Sequence, residues 1–582
     1  MILIRHALCQ HGLGRDIMIA MILSALLSLF LLLPSLLEGV GLWADRRAFL
    51  LFFSIVPILL YSSLSSFFHP IKIPLKAGIA FFCFLFFSGI STFFFSFDKQ
   101  ASFELLLFYY SSFLLFIFFY NHKKEGTRFA HYFPVILGIF FACYSLLLPF
   151  LRQGGVNSLL PVIEKQFIFP SYSGHNHLGD FLGLLLIILL FYGFKKKWVI
   201  LPFLFFFAMF LVSFSRSAYI ALFAVCILML AYARKKISSS FLPFIFLFLS
   251  LIVFTTYLLS AQQPARSPLA RLQSYARITL ALSPRAILSE HDTLMKQALS
   301  SIQKHPFFGI GGGNFIIASQ QNEKNDTVSD SVHTIFLELA TEQGILATLC
   351  FLLFIIFISR HILSFPSLPG FLFLYLLVNF QTDYTYQIYS LFLFWIILSS
   401  LSYSEKQDVS ISSFAFGLFS LIPLVILTCI TTSILLLKMG DYNNAIHWYP
   451  ANKQAYEKAI QQSSDQTPLF IAKAEQIAPY DPSLISSSAA YYLKHNNKKE
   501  ALRYFEKMYE INHFCSFNFI KQIYTLKKEL RSQAEADYFF NGIVRDYQHI
   551  FVSYDMRVEF ANFCKEAKMG SCPKIGWNDQ SL

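Results

Sequence analysis

Val199–Ala231 reads VILPFLFFFAMFLVSFSRSAYIALFAVCILMLA, with Arg216 as its one charged residue. Two apolar runs, near 198–214 and 217–233, meet at Phe214–Ser215–Arg216–Ser217–Ala218. Each is close to the roughly 20 residues that an upright helix needs to cross a bilayer core. Similar segments stand near 17–37, 48–68, 75–97, 103–120, 130–151, 177–194, 241–259, 335–358, 368–380, 387–402 and 411–437, which makes thirteen expected spans in all. No small-residue cleavage site follows the first segment and another span comes soon after, so it reads as a retained helix and not a cleaved signal.

Composition agrees with many spans. Of 582 residues, 55% are hydrophobic, 69 are phenylalanine and only 14% are charged, where a soluble domain averages about 25% charged residues. Soluble cores stop growing near ~250–300 residues, so one core cannot absorb this much apolar surface. A soluble enzyme, a disulfide scaffold and a disordered chain are excluded. The expected fold is all-α: a polytopic membrane bundle of about 12–13 spans over residues 1–437, then a soluble helical domain over 438–582.

Charge orients the bundle. From Lys438 onward 18 basic residues stand against 16 acidic ones, so nearly all of the net +12 belongs to the membrane part. Arg5 and Arg15, Lys72 and Lys76, His122–Lys124 with Arg128, Lys195–Lys197, Arg234–Lys236 and Arg360 fall on one side of thirteen spans, the cytoplasmic side by the positive-inside rule. Asp45–Arg46–Arg47 dissents. The polar stretches Gly174–Gly179, Ser215–Arg216, 260–334 and Gln381–Gln387 then share the outer face, where polar residues at membrane level mark a site. No solvent-facing basic helix or aromatic-basic sheet pattern points to nucleic acid.

The tail has a period. Pro479 and His513 lie 34 residues apart, the length of a tetratricopeptide repeat. A repeat starting at Pro482 puts Ala489, Tyr492, Ala501 and Phe505 on signature positions, and a preceding one would start at Trp448 with Ala455 at its small position. Cys564 and Cys572 stand close enough in this outer tail for a bridge, which spacing alone does not establish. Six further cysteines lie in or beside apolar spans and read as small core residues.

Several polar constellations remain open at this level. Arg216 offers a fork of donors suited to phosphate oxygens, though a snorkelling arginine at a helix end is common. His305–Pro306–Phe307–Phe308–Gly309–Ile310–Gly311–Gly312–Gly313–Asn314–Phe315 is glycine-rich, yet no strand precedes it and no Lys-Ser/Thr follows, so it meets neither phosphate-loop fingerprint. Its glycines permit close approach to a lipid headgroup or to another helix. His333, in Ser331–Val332–His333–Thr334, precedes a span, and a neutral imidazole there can act as a general base; as an isolated residue it would read as a capping histidine. His175–Asn176–His177 lacks an acidic partner and suits capping better than a metal. No Asp-x-Asp pair on the outer face suggests a metal-dependent sugar transferase. The loop 260–334, with Arg266, Arg271, Arg277 and Arg285, reads as a basic lid or a solvated loop.

Together these stretches resemble the O-antigen ligase family, whose members include O-linked oligosaccharyltransferases and, more distantly, O-antigen polymerases. Ser215–Arg216–Ser217–Ala218 looks like its Ser-Arg-Gly/Ser-Ala span. His305–Pro306 through Gly313–Asn314–Phe315 is similar to its His-Pro-x-x-Gly-x-Gly-x-Gly-Asn-Phe stretch, and Ser331–Val332–His333–Thr334 through Gly344 to its His-Asn/Ser segment. Gly174–His175–Asn176–His177–Leu178–Gly179 resembles an earlier Asn-His signature. The likeness covers about residues 170–360. Thr334 replaces the usual Asn, Ser or Gln, Ala347 stands where Gly, Thr or Tyr is common, and His291 stands where an arginine often precedes the His-Pro pair.

The resemblance implies a GT-C-like bundle in a bacterial inner membrane, with its active site and tail periplasmic. It implies metal-free, cofactor-free, inverting transfer of a glycan from undecaprenyl diphosphate to an acceptor hydroxyl. His333 would be the base and Arg216 would hold the diphosphate. Arg285, then Arg277, would assist, with His291, His177, Asn176, His305 and Asn314 as further substrate contacts. The expected acceptor is lipid A–core; a protein Ser/Thr, for which the tail offers a partner surface, and a growing glycan stay open. From another class, a lipid-linked glycan transporter competes, but no inverted repeat or paired broken helices appear. A scaffold anchoring the tail would need only one span.

Overall fold

The computed structural model describes residues 71–153, 174–193, 199–212, 215–233, 284–321, 329–511, 517–547 and 562–566. The expected spans near 17–37, 48–68 and 241–259 lie outside the described residues, as does the cluster Asp45–Arg47. Within them the protein is helical apart from one antiparallel ribbon, β1 (Ile71–Pro74) on β2 (Asp408–Ile411), with Ile71 opposite Ile411.

The helices follow the hydropathy closely. They are α1 (Leu75–Ile90, prolonged by a π-turn at Ser91–Phe95), α2 (Lys99–Asn121), α3 (Lys123–Gln153), α4 (Gly174–Gly193), α5 (Ile200–Val212), α6 (Arg216–Ala233), α7 (Pro284–Lys304), α8 (Phe315–Gln321), α9 (Ile335–Glu342), α10 (Gly344–Ser364), α11 (Leu368–Asn379), α12 (Tyr389–Ser402) and α13 (Ser413–Lys438). Among the described residues, four stretches are long and apolar enough to cross a membrane: Leu75–Phe95, Lys99–Asn121, Gly344–Ser364 and Phe414–Lys438. Shorter apolar helices accompany them, among them Gly179–Tyr192 and Leu391–Ser402. Their core is aromatic: Trp395 is fully buried and stacks on Phe373 at 5.1 Å. The outward faces of α1 and α10 expose Phe82, Phe86, Leu349 and Leu353, as a lipid-facing surface requires.

The bundle has two different ends. At one, Lys72 N–H donates to Asn121 Oδ1 (2.9 Å), Lys123 Nζ to the Tyr403 carbonyl (2.6 Å) and Tyr120 Oη to Asp408 (2.8 Å). α4 and α6 finish at this basic end too, since Phe191 and Tyr232 both pack on Phe371, near the start of α11. The opposite end gathers the start of α2, the glycine-rich loop, α9 and the segment 380–388.

One expected span is broken. The run 335–358 divides into α9 and α10 at Gln343–Gly344. The cause is the glycine-rich loop, which threads against the junction: Ile345 N–H donates to the Pro306 carbonyl (2.9 Å), Gly311 N–H to the Glu342 carbonyl (2.8 Å) and Ile310 N–H to the Thr341 carbonyl (3.2 Å). Gly344 adopts φ +84°, and a Cβ there would sit 2.2 Å from the Phe307 carbonyl oxygen. Backbone meets backbone, and no side chain fits between.

The tail has its own hydrophobic core, built by α14 (Tyr442–Trp448), α15 (Lys453–Gln462), α16 (Thr467–Ile477), α17 (Pro482–Lys494), α18 (Lys498–Ile511), α19 (Phe517–Leu530) and α20 (Gln533–Tyr547). Ala455, Ala489 and Ala501 are fully buried in it, and Tyr492 stacks on Tyr504 at 5.7 Å. Small residues there let paired helices approach. The tail docks on the site end of the bundle. Lys453 Nζ bridges Asp98 (2.7 Å) and Asp481 (2.9 Å), the caps of α2 and α17, and Phe97 packs on Tyr480. Cys564 is disulfide-bonded.

Gly344 and Gly440 separate backbone conformation from threading. Gly440 has φ +81° but open space around its Cβ position. Gly440→Ala should cost only the left-handed conformation, about 1–2 kcal/mol. Gly344→Ala adds an unrelieved clash, so the solubilised protein should unfold at a clearly lower Tm. Equal Tm losses would show that threading is not what Gly344 protects.

Candidate active site

His333 sits in a turn that local sequence alone would not hold. Its φ is +62°, one of three positive values at non-glycine residues among the described residues. Such a conformation persists where the surroundings impose it. Here His333 N–H donates to Ser331 Oγ (3.0 Å), and the next residues are pinned to the end of α11: Ile335 N–H donates to the Phe380 carbonyl (3.0 Å) and Thr334 Oγ1 approaches the Gln381 carbonyl (3.4 Å).

The imidazole faces Asp383. Nδ1 lies 4.0 Å from Asp383 Oδ1, and the ring meets Tyr384 edge-on at 5.0 Å. That separation is long for a hydrogen bond, as is common before substrates tighten an active site. Asp383 is buried, with Oδ1 accepting Tyr384 N–H (2.7 Å) and Oδ2 accepting Ser217 Oγ–H (3.0 Å). Burial pushes its carboxyl up to about 6, and those two donors hold it from rising further.

Ser217 belongs to the first turn of α6, whose N-terminus carries partial positive charge. Ser215 caps it, contacting Ala218 N–H (3.4 Å) and Ser217 Oγ (3.1 Å). Arg216 opens the helix between them. The fold thus brings His333 and the backbone of Arg216 to either side of Asp383, across 116 intervening positions of sequence. Behind Asp383, Asn379 Nδ2 donates to Asp180 on α4, both fully buried. His175, Asn176 and His177 occupy the first turn of that helix.

α9 carries two buried carboxylates one turn apart, and each binds a different loop. Glu338 Oε2 accepts Ser331 Oγ–H (3.0 Å), Val332 N–H (3.1 Å) and Tyr386 Oη–H, while Oε1 accepts Gln387 Nε2–H (3.0 Å). Glu342 Oε1 accepts Phe315 N–H (3.0 Å) in the glycine-rich loop. Leu294 and Ala298 of α7, Ile310, Phe315 and Val332 close over the two loops as one small core.

The other expected contacts fall in different places. Arg285 lies in the first turn of α7 and His291 one turn before Leu294. Arg277 lies outside the described residues. Asn314, expected to touch substrate, is instead fully buried: its amide donates to Ser102 Oγ (3.0 Å), Ser96 Oγ (3.2 Å) and the Ile310 carbonyl (3.0 Å), so it fixes the loop's fold. His305 is half-buried edge-on against Phe97 at 5.6 Å, and burial together with Lys304 pushes its imidazole below the ordinary range. Asp383 was not singled out by sequence, and Ser217 and Glu338, though they stand in the motifs, were given no role there. The available signal was one acid, Asp383, in a polar run between two apolar spans.

Residues 201–352 match the family model described as O-antigen ligase. Over that segment, about a quarter of the chain, the protein is similar to the O-antigen ligase family. The matched residues run from α5 into α10 and include Arg216, the glycine-rich loop and His333; Asp383 lies beyond them. No curated protein and no solved structure matched the chain.

Asp383 gives a stability test. Its folded carboxyl is raised, so protonation favours the fold; that contribution is complete below the ordinary carboxylate range and is lost as pH rises through about 6. Asp383→Asn should therefore raise the Tm of solubilised protein near neutral pH, with a smaller gain in acid. A lower Tm near neutral pH would mean that its charged form is held by more than the burial cost.

Proposed function

We propose that this protein works as a member of the O-antigen ligase family, moving a preassembled glycan from undecaprenyl diphosphate to a hydroxyl of lipid A–core. The observation that carries the reading is His333, held in a left-handed turn, facing buried Asp383 while Arg216 heads α6 on the other side of that carboxylate.

The chemistry follows from those roles. His333 takes the proton of the acceptor hydroxyl, and the freed oxygen attacks the anomeric carbon. The bond from that carbon to the diphosphate breaks on the opposite face, inverting the centre, and undecaprenyl diphosphate departs with the electron pair. Asp383 favours the imidazolium that forms. Arg216 meets the charge developing on the leaving group, aided by the α6 N-terminus and by Arg285 or Arg277. His291, His177, Asn176 and His305 complete the donor contacts in this reading.

We place the basic end in the cytoplasm and the site end in the periplasm. Positive loops favour that orientation, and a disulfide at Cys564 suits an oxidising compartment. A Ser or Thr of a protein is the second reading for the acceptor. It draws support from the helical tail, read as tetratricopeptide-like, docked beside the site through Lys453. Both readings are tested by mass spectrometry of membranes given undecaprenyl-diphosphate glycan: glycan appears on lipid A–core in the first and on Ser or Thr in the second.

His333→Ala should lower transfer about 10²–10⁴-fold, the usual worth of a general base, with membrane level unchanged. Arg216→Lys should fail as well, because a point charge replaces a planar fork. Wild-type transfer in either variant would remove the assigned roles.

Transfer should also fall as pH drops through about 6, when Asp383 takes a proton and no longer favours the imidazolium. In Asp383→Asn that inflection should vanish from the rate profile; an unchanged inflection would assign it to another group.

A further inference from the structure

We propose that Glu338 is a positioning residue for His333, acting through the hydroxyl of Ser331 and touching neither substrate. The inference rests on the transfer reading above, because it concerns how that base is held.

The hydrogen-bond directions carry it. Four donors converge on the Glu338 carboxylate: Ser331 Oγ–H, Val332 N–H, Tyr386 Oη–H and Gln387 Nε2–H. A carboxylate only accepts, and it is the one side chain of this size that can satisfy four donors at once. Committing the Ser331 proton to Glu338 leaves the Ser331 oxygen free to accept from His333 N–H, at 3.0 Å. That bond is made at the residue whose φ is +62°, a conformation an L-residue leaves unless held. The same carboxylate ties in Tyr386 and Gln387, which follow Asp383 in the chain. One buried group therefore fixes the segment bearing the base and the segment bearing its carboxylate partner relative to each other.

Gln in place of Glu338 keeps the size but not the pattern. If its oxygen faces Ser331, Val332 and Tyr386, its NH₂ meets the NH₂ of Gln387, two donors face to face. If it turns round, its NH₂ meets Val332 N–H instead. Either way a buried donor loses its partner and the turn relaxes. The imidazole then shifts relative to Asp383 and to the acceptor, and such misplacement costs roughly a hundredfold in rate.

The test measures kcat and KM in membranes supplied with undecaprenyl-diphosphate glycan and lipid A–core, for Glu338→Gln, Ser331→Ala, the double variant and His333→Ala. Expected is a roughly hundredfold fall in kcat for Glu338→Gln, with KM for both substrates unchanged. Ser331→Ala should fall similarly, and the double variant should be no worse than the poorer single one, because both interrupt one path. Multiplied losses in the double variant, a loss confined to KM, or wild-type kcat in Ser331→Ala would overturn the proposal. Should Glu338→Gln fail to accumulate, Ser331→Ala with Tyr386→Phe decides in its place: unchanged kcat in both refutes the path. A silent His333→Ala alongside unchanged kcat in the Glu338 and Ser331 variants removes only the positioning role. Active His333→Ala removes the transfer reading itself.

Discussion

The site end of this protein depends on one contact of backbone with backbone. The strand of loop from Pro306 to Gly313 lies against the α9–α10 junction so closely that Cβ atoms at Gly309 or Gly344 would fall 2.4 Å and 2.2 Å from carbonyl oxygens. Hydrogen bonds from Ile310, Gly311 and Ile345 close the contact. By splitting one apolar run into two helices, it stops α9 at the end of the bundle. A short helix there can turn buried carboxylates towards loops on both sides, which a continuous span could not do. His333 stands at the start of that helix, so the position of the candidate base follows from the threading.

Polarity at this depth is managed by saturation with donors. Glu338 takes four, Asp383 two, and each donor comes from an element that must be held in place anyway. Burial of a carboxylate is expensive unless it is so satisfied. Asp383 has the fewer donors of the two, and burial shifts its ionisation up towards the range in which enzymes work. Rigid support and a tunable charge therefore sit on neighbouring residues of one loop, Asp383 and Tyr386–Gln387.

The tail joins this arrangement through a second polar lock. Lys453 pairs with the capping aspartates of α2 and α17, and Phe97 touches Tyr480 on the tail side and His305 on the loop side. Phe97 N–H also donates to the Ile310 carbonyl. The helical tail is thus packed against the loop that threads the junction, in place to bear on what reaches the site from outside the membrane.

Hydropathy by itself determined the helical class, the place of most of the described apolar helices within a few residues, and the separation of basic from polar ends, but not the helices α7 and α8 inside the expected loop 260–334. Those properties are local: an apolar run of sufficient length must hide its backbone in a helix, and loop charges sort by side. The motifs also pointed to His333 and Arg216, because each stands at a polar break beside a span. What only the tertiary structure decided was pairing. Asp383 meets Ser217 across 165 intervening residues, Glu338 reaches Tyr386 and Gln387, and Asn314 turns inward on Ser96 and Ser102. No periodicity records such contacts, since they arise from which helix ends the bundle packs together. The break at Gly344 was hidden for the same reason: the run is apolar on both sides of it, and the loop that interrupts it comes from thirty-odd residues earlier in the chain.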